Sequence, residues 1–122
     1  MPSKYVVREF TEESIYHVFN RGVEKRKIFN DNQDYNTFLY YLFIYSSPLK
    51  DVLDKYPNLP IRLRAKNLNK EVEILSYCLM PNHFHLMILQ HTKNGISKLL
   101  KQITNAHAQF FNKKYKRVGG LM

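Results

Sequence analysis

The chain has 122 residues, 44% hydrophobic and 14% aromatic, which supports one folded domain and argues against a disordered segment. A single cysteine, Cys78, excludes an internal disulfide; no apolar run nears membrane length and no charged-then-apolar leader opens the chain, so a cytoplasmic setting is expected. The net charge of +9 is unevenly spread: residues 1–73 hold 12 basic and 10 acidic side chains, whereas residues 74–122 hold 7 basic and none acidic. Such a field attracts phosphate backbones, although a basic surface kept for solubility would have the same composition.

In chain order, Ser14–Phe19 is rich in β-branched and aromatic side chains and reads as the first strand, with Asn20-Arg21-Gly22 as its turn. Asp31 caps a helix running to about Tyr45, with Asp34 in its first turn; Tyr35, Phe38, Leu39, Leu42 and Ser46 repeat at helical spacing and give it a face for a sheet. Residues 48–70 carry Pro48, Pro57 and Pro60 among charges and read as a surface insertion with one short helical turn. Val72–Met80 and His83–Gln90 form a hairpin around Pro81-Asn82. After Asn94-Gly95 a long helix follows, with Ile96, Leu99, Leu100, Ile103, His107 and Phe110 on its buried face and an end near Tyr115. Lys98, Lys101, Gln102, Asn105, Gln109, Asn112 and Lys113 lie on its other side. Gly119-Gly120 breaks the chain and begins another extended segment. The order strand-helix-strand-strand-helix predicts an α+β, ferredoxin-like antiparallel sheet with helices on one face and an incomplete fourth strand. One domain, 1–122, accounts for the whole chain.

Residues two apart in a strand share a face, so His83 and His85 present their imidazoles together while Phe84 points into the opposite layer. Two neutral imidazoles so placed can chelate one divalent ion, although paired histidines also occur without any. Arg21 and the helix cations Lys98, Lys101, Lys113, Lys114, Lys116 and Arg117 are the candidate phosphate contacts, with ordinary solvation as the alternative for each. His107 reads as a satisfied core histidine before a third ligand, His17 as a support of fold or site, His91 as solvated, and Cys78 as a buried inert thiol. Tyr115 stands among Lys113, Lys114, Lys116 and Arg117, whose field favours a phenolate, but packing or base stacking is the first reading of it.

Ser76-Tyr77-Cys78-Leu79-Met80-Pro81-Asn82-His83-Phe84-His85-Leu86-Met87-Ile88 closely resembles the signature of the single-tyrosine, His-hydrophobic-His transposases of insertion sequences, particularly the REP-associated tyrosine transposase branch. Tyr16-His17-Val18-Phe19-Asn20-Arg21-Gly22 resembles the opening strand of that family. Phe110-Phe111-Asn112-Lys113-Lys114-Tyr115 is similar to the end of its long helix, and Arg117-Val118-Gly119-Gly120-Leu121-Met122 to its Arg-x-x-Gly-x-Leu-Phe segment. The resemblance implies that His83 and His85 hold a divalent metal ion, Mg or Mn foremost and Zn, Co or Ni also able to bind. It further implies single-stranded or hairpin DNA as the partner, a homodimer, and strand transfer through a 5′-phosphotyrosine link. The family's tyrosine motif, Tyr-Ile followed by Asn or Gln, has no match in residues 1–122, so the chain reads as stopping before the tyrosine helix. A non-catalytic DNA-binding module derived from such a transposase is therefore the alternative reading.

Overall fold

The computed structural model describes residues 13–122. Strand β1, Ser14–Arg21, runs two residues past its expected end. Gly22 then leads into a short 3-10 turn, Val23–Lys25. Its φ of −59° suits any residue; glycine is required because a Cβ would overlap the Arg26 carbonyl.

Helix α1, Asn32–Ser46, starts at Asp31, whose carboxylate accepts the Asp34 amide hydrogen at 3.0 Å. Phe38, Leu42, Ile44 and Tyr45 are its buried apolar side chains, so the apolar stripe is Phe38-Leu42-Tyr45 with Ile44 added, and Tyr35 and Leu39 are only partly covered. The following segment corrects the sequence reading. Instead of a surface insertion with one helical turn, it forms α2, Leu49–Lys55, and α3, Ile61–Arg64, and it sends Val52, Leu59, Leu63 and Leu68 into the core. Asn67 and Asn69 tie it to the end of α1 by donating to the carbonyls of Ile44, Ser47 and Ser46.

Strands β2, Val72–Met80, and β3, His83–Gln90, have the expected bounds. They belong to one antiparallel sheet in the order β1-β3-β2, with a bulge in β2 between Ile74 and Ser76. Helix α4, Gly95–Tyr115, buries Ile96, Leu99, Leu100, Ile103, His107 and Phe111; the last apolar anchor is Phe111 where the spacing predicts Phe110. Lys116, in the left-handed conformation, ends the helix. Residues 117–122 form no strand, yet Leu121 is buried and its carbonyl accepts the Val23 amide hydrogen at 2.9 Å, so this segment lies beside the end of β1. The fold is thus α+β, a three-stranded antiparallel sheet with helices packed against one face. Phe84, Leu86 and Ile88 of β3 are fully buried beneath the helices, and the alternate residues His83, His85 and Met87 point to the other, open face.

Candidate metal centre and nucleic-acid surfaces

Because β3 is the central strand, its open-face histidines are flanked from both sides. The register places Arg21 opposite His83 and Phe19 opposite His85 on β1, and Met80 opposite His83 and Cys78 opposite His85 on β2. Residues directly opposite in such ladders have Cβ atoms about 5 Å apart. The sheet therefore brings Arg21 to the histidine pair. It also corrects the reading of Cys78: the thiol is exposed, since β2 is an edge strand and nothing covers this face at that point among the described residues. Ile15, Phe19, Met80 and Met87 add exposed apolar surface around the pair.

The His83 and His85 ring centroids are 5.0 Å apart, with the planes nearly perpendicular. Two imidazoles on one ion, at metal–nitrogen distances of about 2.0–2.1 Å, have centroids separated by roughly 5 Å. Each ring has its Nδ1 taken up within the protein. His83 Nδ1 lies 2.7 Å from the Asn82 side-chain oxygen, and His85 Nδ1 lies 2.9 Å from His17 Nε2. The Nε2 atoms are then the ones left to bind an ion, the arrangement in which a ligand imidazole donates its other N–H to a neighbouring acceptor. Burial first, and then the neighbouring His83 and His17, push His85 below the ordinary imidazole pKa, which keeps it in the neutral form that coordinates metal. The residues present thus fit a divalent ion through two nitrogens. Among the described residues no group of three or more His, Cys, Asp or Glu is placed to hold a metal.

Asn82, which the sequence marks only as a turn residue, is itself anchored. Its carbonyl accepts the Gly22 amide hydrogen at 2.9 Å, and the Pro81 carbonyl accepts those of Ile28 and Phe29 at 2.8 and 3.1 Å. The loop after β1 thereby grips the β2–β3 turn and fixes the start of the histidine strand.

The other histidines sit apart. His107 is fully buried on the helical side, donates from Nε2 to the Ile28 carbonyl at 2.7 Å and packs on Phe29 and Phe38, so it is a core residue on the face away from His83 and His85. His91, expected to be solvated, is 30% exposed and pairs with Glu13 at 2.9 Å; that hydrogen bond raises its pKa.

The helix cations divide by environment. Lys114 bonds to Asp31 at 2.7 Å and to the fully buried Asp34 at 2.8 Å, and Tyr115 donates its hydroxyl to Asp34 at 2.6 Å. Burial alone would raise Asp34, but hydrogen bonds from Lys114, Tyr115 and the Asn30 amide outweigh it and hold the carboxyl below its usual range. Both side chains thus clamp the end of α4 to the start of α1. Arg117 folds back on Asn112, and Lys98 pairs with Glu71 at 3.0 Å. Lys101, Lys113 and Lys116 are exposed, with no ion pair among the described residues.

Lys98 and Lys101 line a groove of about 360 Å³ whose other wall is supplied by Arg62 and Lys66 of the 48–70 segment. Gln102, Asn105 and Gln109 add amides and Tyr41 an aromatic ring, and no acidic side chain lines it. Sequence reasoning missed Arg62 and Lys66, since they face Lys98 and Lys101 only after α3 docks. The groove belongs to the helical layer, whereas Arg21, opposite His83, stands on the histidine face.

No helix among the described residues is long and apolar enough to cross a membrane. A family model described as IS200-like transposase matches residues 10–120. No curated protein and no solved structure matches the chain.

Proposed function

The chain belongs to the IS200-like transposase family, and we propose that it binds single-stranded or hairpin DNA with a phosphate at His83 and His85, which hold a divalent ion. The observation that carries this reading is the pair of imidazoles on one open sheet face, each with Nδ1 engaged and Nε2 left over. When bound, the ion supplies Lewis-acid polarisation of a phosphodiester, consistent with the family's general use of divalent metal. The chain's own residues do the positioning. Arg21, opposite His83, offers a guanidinium to a phosphate oxygen, and the exposed Phe19, 5.7 Å from the His85 ring, offers a stacking surface to a base. Lys101, Lys113 and Lys116, with Lys98 and the groove cations, take backbone contacts on the helical layer.

Cleavage needs a nucleophile as well. Tyr16 and Tyr77 lie opposite Ile88 and Leu86, on the helical face of the sheet. Tyr115 is bonded to Asp34, and the remaining described tyrosines belong to the helical layer. No tyrosine among the described residues stands on the histidine face, an observation that favours the second reading, DNA binding without cleavage by this chain alone. Incubated with Mn and a labelled hairpin oligonucleotide, the chain is expected to form no covalent adduct on a denaturing gel. An adduct abolished by Tyr115→Phe would overturn that expectation.

DNA affinity is expected to fall steeply with salt, and the joint substitution Arg62→Ala, Lys66→Ala should make the log–log salt slope shallower by about 1.5. An unchanged slope would remove the groove from the interface. We also propose a homodimer: β2 is an edge strand with Leu75 and Tyr77 exposed, and unpaired edges template pairing with another chain. Light scattering that gives a monomeric mass at high protein concentration would refute this.

A further inference from the structure

We infer that His17 is a positioning residue for the metal site: its Nε2 accepts the Nδ1–H of His85 and so fixes the tautomer in which His85 Nε2 carries the lone pair. The inference rests on the reading of His83 and His85 as ligands and assigns a role to a residue outside that pair. His17 is opposite Met87 on the sheet, one diagonal step from His85. Diagonal neighbours are about 7–8 Å apart at the backbone, and only long or aromatic side chains meet across that gap. Here the two rings do meet, 5.0 Å between centroids and 24° between planes, with the nitrogens 2.9 Å apart.

Two neutral imidazoles joined by a hydrogen bond need one N–H and one lone pair at the contact. If His17 donated, His85 would carry its proton on Nε2 and could not coordinate through that atom. If His17 accepts, the proton sits on Nδ1 and Nε2 is free. His83 shows the same choice made by a group that leaves no alternative. The Asn82 side-chain Oδ1 can only accept, and its orientation is set by the Asn82 side-chain Nδ2, which donates to the Lys25 carbonyl. His83 is therefore the Nδ1–H tautomer, and a matching His85 gives the pair two Nε2 donors of one kind. A neighbour that holds a ligand imidazole in this way contributes through the ligand's orientation, and its loss costs about 10–100-fold in metal affinity.

His17 is exposed, so replacing it leaves the core intact. The test is nitrogen-15 NMR of the histidine rings in the metal-free chain, paired with calorimetric titration of Zn, on wild type, His17→Phe and His17→Gln. Wild type should show His85 protonated at Nδ1. His17→Phe should lose that preference and bind Zn about 10–100-fold more weakly. His17→Gln, whose amide oxygen can still accept, should keep both properties close to wild type. His85 protonated at Nε2 in wild type, or a His17→Phe isotherm equal to that of wild type, overturns the inference while leaving the ligand pair standing. Zn coordination at His17 itself, seen as a direct-ligation shift of its own ring nitrogen when the NMR is repeated with Zn added, also overturns it. A wild-type chain that takes up no Zn defeats the ligand reading, and the inference with it.

Discussion

Asp34→Ala is expected to destabilise the fold by about 3 kcal/mol near neutral pH, the scale of removing one partner from a buried, charge-assisted network. Asp34 is fully buried and accepts from Lys114, Tyr115 and the Asn30 amide. Its loss strips partners from a phenol and a largely covered ammonium at once, and it releases the clamp between α1 and α4. The effect carries a pH signature. The folded carboxyl is held below its ordinary 3.8, so its contribution is complete above the unfolded value and is lost as pH falls through the folded one. Chemical denaturation should therefore show a large gap between wild type and variant at pH 7 and a smaller one near pH 3. A gap that stays constant with pH would mean that packing, and not the charge network, holds the two helices. A separate acid loss should begin higher, because burial depresses His107 below its ordinary 6.5; protonation of the unfolded histidine costs stability as pH drops through that value, in wild type and variant alike.

Much of this architecture was legible from local pattern. The alternation that marks β3 also assigns His83 and His85 to one face and Phe84 to the other, and Pro81-Asn82 fixes where the hairpin turns. Asp31 announces α1 through its cap. What local pattern missed depends on contacts between distant segments. Pro48 and Pro60 read as loop residues, but each stands immediately before a helix, where proline's fixed φ and missing N–H cost nothing, so the 48–70 segment is helical and its apolar residues reach the core. Lys114 looks like a free phosphate contact in sequence, and Tyr115 like a packing or base-stacking residue beside it. Their partner Asp34 lies some eighty positions earlier, and folding converts the pair into a clamp. Cys78 follows from strand order: a thiol in a hairpin reads as buried until β2 proves to be an edge. The contact between His17 and His85 likewise needs the β1–β3 register, which no single segment specifies.

His83→Ala with His85→Ala should remove metal binding at this site, since it deletes both of the imidazoles proposed to hold the ion. Both rings are only half-buried on the open face, so the double substitution should leave the core of Phe84, Leu86 and Ile88 intact, and unchanged thermal unfolding of the metal-free chain checks that. Calorimetric titration of wild type and the double variant with Zn is therefore the most direct test of the site. A weak but saturable isotherm in wild type that vanishes in the double variant is the expected result, and indistinguishable isotherms would contradict the assignment of His83 and His85 as the metal ligands.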